Sequence, residues 1–158
     1  MGSHHIIKKF SPIPFGKPLI DDMEIDLVKK TIKSNVLVHG SKSVEFENRF
    51  KNFTKSKYAI SVSNCTTGMN LIYFALGIGK GDEVIVPAQT HIATAHAVEY
   101  TGAKAVFVDC DLETGNISLN EIKKKFTSKT KAICVVHFLG IPVDIKPIQS
   151  FAKKIELS

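Results

Sequence analysis

Apolar residues recur at three different spacings along this chain, and each change of spacing marks a change of structure. In residues 6–20 (IIKKFSPIPFGKPLI) no period holds, and Pro12, Pro14 and Pro18 disfavour a helix, so this leading segment reads as extended. A 3.6-residue period then predicts a helix over about residues 22–34. Ile25, Val28 and Ile32 share one face, Asp22, Glu24 and Asp26 sit near the positive helix end, and Asn35 closes it. A second helix is predicted over about 42–53, with Phe46, Phe50 and Phe53 as a buried stripe.

From Tyr58 the period shifts to short runs that are apolar on both faces and rich in β-branched residues. YAISV (58–62), EVIVP (83–87), KAVFVD (104–109) and AICVVHF (132–138) read as buried parallel strands. Helical segments fall between them, near 66–77, 91–101 and 118–126. Ser118 and Glu121 have the spacing of a capping box, and a last helix is predicted from about Asp144 with Pro147 in its first turn. Strands 21 to 28 residues apart, each followed by a helix, predict right-handed βαβ units and an α/β fold.

Composition narrows the reading. With 158 residues, 44% apolar and 23% charged, the chain has the balance of a globular domain with its own core. No stretch approaches the roughly 18 apolar residues of a membrane span, and no charged start precedes an apolar run, so neither a membrane protein nor a secretory leader is expected. Residues 1–5 (MGSHH), a natural start or a tag remnant, are set aside from fold reasoning. The formal charge of +6 comes from 20 lysines and Arg49, scattered and without interleaved aromatics, which argues against nucleic acid as partner. Three widely spaced cysteines fit no zinc, redox or disulfide motif, and a reducing, cytoplasmic setting is expected. Cys110 and Cys134 read as small core residues.

The chemistry is expected where strands hand over to helices. Ser63-Asn64-Cys65-Thr66-Thr67-Gly68 follows the first strand run and opens a helix. First-turn amides without intrahelical acceptors, aided by the Thr66 and Thr67 hydroxyls, suit an anion such as phosphate. The competing reading is a plain turn capped by Ser63 or Asn64. Gly68 removes a side chain that would obstruct approach. Gly77, Gly79 and Gly81 imitate a dinucleotide fingerprint, but here a helix precedes and a strand follows, so they read as a helix stop and a turn. Ligands in open α/β sheets bind beyond the carboxyl ends of strands. His91, expected to open a helix there, is placed either to cover a flat ring or simply to cap, and His137 shares the rim. His39, His96 and His137 lack metal-ligand spacing, so no metal site is expected.

From about Ile13 onward the segments IPFGKPLIDD, LVHGSKSVEFE, AISVSNCTTGMN, ALGIGKGDEVIVPAQTHIATAHAVEYTGAKAVFVDCD and KAICVVHFLGIPVDI together resemble the DegT/StrS family of pyridoxal 5'-phosphate (PLP) dependent sugar aminotransferases. The resemblance implies the type I PLP aminotransferase large domain, a mostly parallel sheet with flanking helices, incomplete here at its carboxyl end. Residues 1–12 would be a tail, 13–158 the leading part of that domain, and the small carboxyl-terminal domain would be absent. It implies cofactor binding by Thr66 and Thr67 on the phosphate, His91 stacked on the ring, and Asn64 and Cys65 lining the turn. It places His39-Gly40 near an active site that family dimers share, and matches Gly16, Lys17 and Pro18 without assigning them chemistry. It implies a nucleotide-linked keto sugar and an amino-acid donor, glutamate, as partners in a homodimer. No catalytic residue is assigned. The family lysine that holds the cofactor covalently and the carboxylate that meets the pyridine nitrogen match nothing in this chain.

Two further expectations follow from the resemblance. The strand at 58–62 would find no neighbour within this chain, and the fragment by itself would be poorly stable and inactive. The alternatives to an aminotransferase fragment are a non-catalytic product of a split or decayed gene and a generic phosphate- or nucleotide-binding α/β module.

Overall fold

A computed structural model describes residues 12–14, 16–155 and 157. The first eleven residues, most of the expected tail, lie outside the described residues. The chain divides between Ser61 and Val62 into two compact units.

The first unit holds α1 (Asp22–Lys33) and α2 (Ser41–Thr54). Asp21 starts α1 through a full capping box: its carboxylate accepts the Met23 amide at 2.8 Å, and Glu24 accepts the Asp21 amide at 2.8 Å. Asn35 closes the helix with a left-handed φ of 59°, as its position predicts. The expected Phe46, Phe50 and Phe53 stripe exists but is not buried. Those rings stay 58%, 51% and 86% exposed, and neither helix has a buried residue. Periodicity forms a stripe; burial needs another element over it, and among the described residues of this unit none covers these rings.

The second unit is built on a parallel sheet of β1 (Glu83–Pro87), β2 (Lys104–Val108) and β3 (Thr130–Ile133), in the order β2-β1-β3. The expected strand at 58–62 belongs to no ladder among the described residues, consistent with its lacking a neighbour. Four helices flank the sheet: α3 (Cys65–Ala75), α4 (Ala93–Glu99), α5 (Leu119–Lys125) and α6 (Ile145–Lys154). Because side chains alternate along a strand, Val84 and Val86 fill one core with Tyr73, Ala97 and Val98, while Ile85 fills a second with Val108, Ile122 and Ile148. Central β1 is thus covered on both faces, as its apolar run predicts.

Two expectations are corrected. The last strand was expected over 132–138 but ends at Ile133. Glu83 donates its amide to Lys129 and Ile85 accepts from Cys134, so the odd positions of β1 face β3. The next is Pro87, which has no N–H to continue the ladder. The capping box at Ser118 does not form, since Ser118 makes no side-chain cap bond and Glu121 is held instead by Lys124 at 2.6 Å. The glycine-rich segment is the expected stop and turn, with Gly77 and Gly81 at φ 70° and 99°. Cys134 packs half-buried against the first core, where burial pushes its thiol pKa up; Cys110 is half-buried and Cys65 exposed.

Candidate cofactor turn and strand rim

The turn before α3 is organised by Asn64. In extended conformation, it accepts the Thr67 amide on Oδ1 at 2.9 Å and the Thr67 hydroxyl at 3.2 Å. Its Nδ2 donates to Ser63 Oγ at 3.2 Å, and Ser63 and Thr67 share a hydroxyl contact of 3.3 Å. Gly68 donates its amide to the Asn64 carbonyl. Of the two caps the sequence left open, Asn64 is the one formed.

This network leaves particular donors over. Among the described residues the amides of Cys65 and Thr66 and the Thr66 hydroxyl have no acceptor, while the Thr67 hydroxyl is engaged by the cap. No acidic residue lies in the first turn of α3. Unpaired amides at the positive end of an 11-residue helix, with a hydroxyl beside them, can hold an anion. Packing within the chain does not demand glycine at 68, since a Cβ there would meet only Val62 at an ordinary 3.4 Å.

The carboxyl end of β1 continues as Ala88, Gln89, Thr90 and His91. Thr90 and Thr94 share a hydroxyl contact of 2.9 Å. His91 is exposed and does not open the helix, which starts at Ala93; its Nδ1 accepts the Ala93 amide at 3.1 Å. The imidazole is therefore fixed as a cap, with its ring proton on Nε2. α3 packs against α4, tied by Asn70 Nδ2 donating to the Ala97 carbonyl at 3.2 Å. His137, beyond β3, is exposed and accepts the Val143 amide on Nδ1 at 3.0 Å.

Among the described residues no cluster of His, Cys, Asp and Glu could hold a metal, and no helix is long and apolar enough to cross a membrane. His39 lies in the first unit with a left-handed φ of 49°, and His96 packs against Tyr100 on α4. Sequence reasoning missed Gly115 and Asn116, which contact the rim from a distant turn. Nothing in their local sequence sets them apart from an ordinary turn.

The sequence profile of the DegT/DnrJ/EryC1/StrS aminotransferase family matches residues 18–158. The chain belongs to this family. It is 42% identical over 142 residues to GDP-perosamine synthase of Escherichia coli O157:H7, an alignment covering 89% of this chain and 39% of that protein. Its backbone superposes with a TM-score of 0.86 on an aminotransferase from Psychrobacter cryohalolentis, at 39% identity over 91% of this chain and 37% of the other. The PLP form of Spr1654 from Streptococcus pneumoniae gives the same TM-score at 33% identity, over 90% of this chain and 36% of the other. The fold is thus that of the type I aminotransferase large domain. The chain spans under two-fifths of the length of these relatives.

Proposed function

We propose that this chain supplies the phosphate-binding turn and part of the ring pocket of a PLP-dependent aminotransferase acting on nucleotide-linked keto sugars. Glutamate would be the amino donor and a cytoplasmic homodimer the working form. Residues 13–158 are then the leading part of the large domain and 1–12 a tail. The observation that carries the reading is the donor set before α3: the Cys65 and Thr66 amides and the Thr66 hydroxyl, unpaired at a helix N-terminus. That set suits a phosphate monoester, which accepts several hydrogen bonds and carries negative charge.

PLP, when bound, supplies the electron sink through which an amino group changes owner. The work of this chain's residues is to bind and orient. Asn64 shapes the turn by capping α3, Thr66 meets the phosphate, and Thr67 stiffens the turn through Asn64. Cys65 adds its amide. His91, locked by the Ala93 amide, offers a flat imidazole to cover the ring. The lysine and carboxylate that complete the family chemistry match no residue here, so no proton-transfer step is assigned to this chain.

The test is an NMR titration of the chain with pyridoxamine 5'-phosphate, chosen because it forms no imine with surface lysines. The Cys65 and Thr66 amides are expected to shift, and Thr66→Ala to weaken binding by roughly tenfold, the worth of one hydrogen bond to a charged group. Saturable shifts confined to other parts of the chain would refute the reading. Equal affinity for free phosphate and for pyridoxamine phosphate would favour a generic phosphate module.

A further inference from the structure

Asn116 is a polar residue only 5% exposed, and its side chain serves a distant loop. Its Nδ2 donates to the Ile141 carbonyl at 3.1 Å and lies 3.5 Å from that of Pro142, while its Oδ1 accepts the Phe138 amide at 3.0 Å. One carboxamide thereby joins both ends of the segment from Phe138 to Pro142. That segment needs a clasp, because Leu139, which carries a Cβ, sits in left-handed backbone at φ 49°.

The clasp reaches the rim of the sheet by two routes. The segment is flanked by His137 and Val143, and the Val143 amide donates to His137 Nδ1 at 3.0 Å. Holding the loop therefore holds the imidazole, whose ring proton is left on Nε2 as a donor. The neighbouring Gly115 packs closely at φ 68°: a Cβ there would meet Phe138 Cδ1 at 2.9 Å and Gln89 Nε2 at 3.3 Å. The turn at 115–116 thus touches residues that follow both β1 and β3, the adjacent strands whose carboxyl ends form the rim carrying His91.

We propose that Asn116 is a positioning residue for this rim. By clasping the 138–142 loop it sets His137 Nε2–H in advance as a donor toward the part of the ligand beyond its phosphate. The proposal rests on the cofactor reading above and deepens it, assigning the ring side of the site to elements that the phosphate turn does not contain. A buried asparagine that merely stabilised the fold would affect every ligand alike, through the folded population. A positioning residue affects only ligands that reach the rim.

The experiment compares dissociation constants for pyridoxamine 5'-phosphate and inorganic phosphate. The wild-type chain, Asn116→Ala and His137→Gln are each measured well below their own thermal midpoints. Asn116→Ala is expected to weaken pyridoxamine phosphate by roughly five- to tenfold, about the worth of one directed polar contact, and to leave inorganic phosphate unchanged. The His137 ring nitrogens should shift at the same time toward those of a free imidazole. His137→Gln leaves the Asn116 contacts in place, since they are to backbone, and is expected to show the same selective loss even if Asn116→Ala folds poorly. Equal weakening of both ligands, or unchanged pyridoxamine phosphate affinity in His137→Gln, would overturn the assignment. A wild-type chain that binds neither ligand would instead sink the cofactor reading itself, and the assignment with it.

Discussion

The two units of this chain use the same sequence device with opposite results. α1 and α2 carry apolar stripes at helical spacing, yet none of their residues is buried; α4 and α5, only seven residues each, bury four and one. The difference is the sheet. In the second unit β1 offers apolar side chains on two faces, and each flanking helix finds a surface to cover. The first unit has one helix start as well formed as any in the second, the Asp21 capping box, but among its described residues no sheet. Helix formation and helix burial are separate events: caps and period secure the first, and only a partner surface supplies the second.

The contrast is most exposed to failure in side-chain truncations. Ile85→Ala, at a fully buried position on central β1, is expected to destabilise the chain by about 3 kcal/mol in denaturant melts, since it leaves a cavity between packed layers. Phe53→Ala, 86% exposed, is expected to cost less than about 0.5 kcal/mol. A comparable loss at both positions, growing with protein concentration, would mean that a second copy covers the phenylalanine stripe.

Between these extremes lie the helix caps. Asn64→Ala removes the side chain that accepts both the amide and the hydroxyl of Thr67, and is expected to cost about 1 kcal/mol and to weaken phosphate binding. Asp21→Ala in the first unit should cost a similar amount of stability without touching ligand affinity. If Asp21→Ala has no effect on helicity by circular dichroism, the first unit is not a folded helical pair in solution.

The smallest expected effect is a dependence on pH, with one reporter in each unit. The Ser61 amide and then its hydroxyl hold the Glu47 carboxyl below its ordinary pKa, and the Thr114 amide and hydroxyl do the same for Asp111. A carboxyl depressed in the folded state contributes stability above its ordinary pKa and loses it as pH falls through the lower, folded value. Thermal melts on the acid side should show less pH dependence in Glu47→Gln and Asp111→Asn than in wild type. Unchanged acid profiles in both variants would show that these contacts do not persist in solution.

Much of the second unit could be read from local sequence. EVIVP is β1 with the expected ends, because a glycine turn precedes it and a proline ends its ladder on one side. The Asn64–Thr67 turn was legible because its bonds are all local: cap, amide and hydroxyl lie within four residues of one another. The over-long final strand was misread because the group that stops it, Pro87, lies on the neighbouring strand. The Ser118 capping box was misread because a lysine three residues beyond Glu121 competes for its carboxylate. Asn116 was invisible for the same reason as Pro87: its partners lie 22 to 26 residues along the chain.

Local physics thus settled where most of the helices lie, that EVIVP and KAVFV are strands, and which turn presents unpaired donors, because caps, periods and glycine conformations depend on a few neighbouring residues. It could not settle which stripes become core, where a ladder stops, or which buried amide clasps the rim. Those outcomes depend on what comes to lie against each surface. That is set by the pairing of distant segments, which leaves no mark on the sequence of either segment alone.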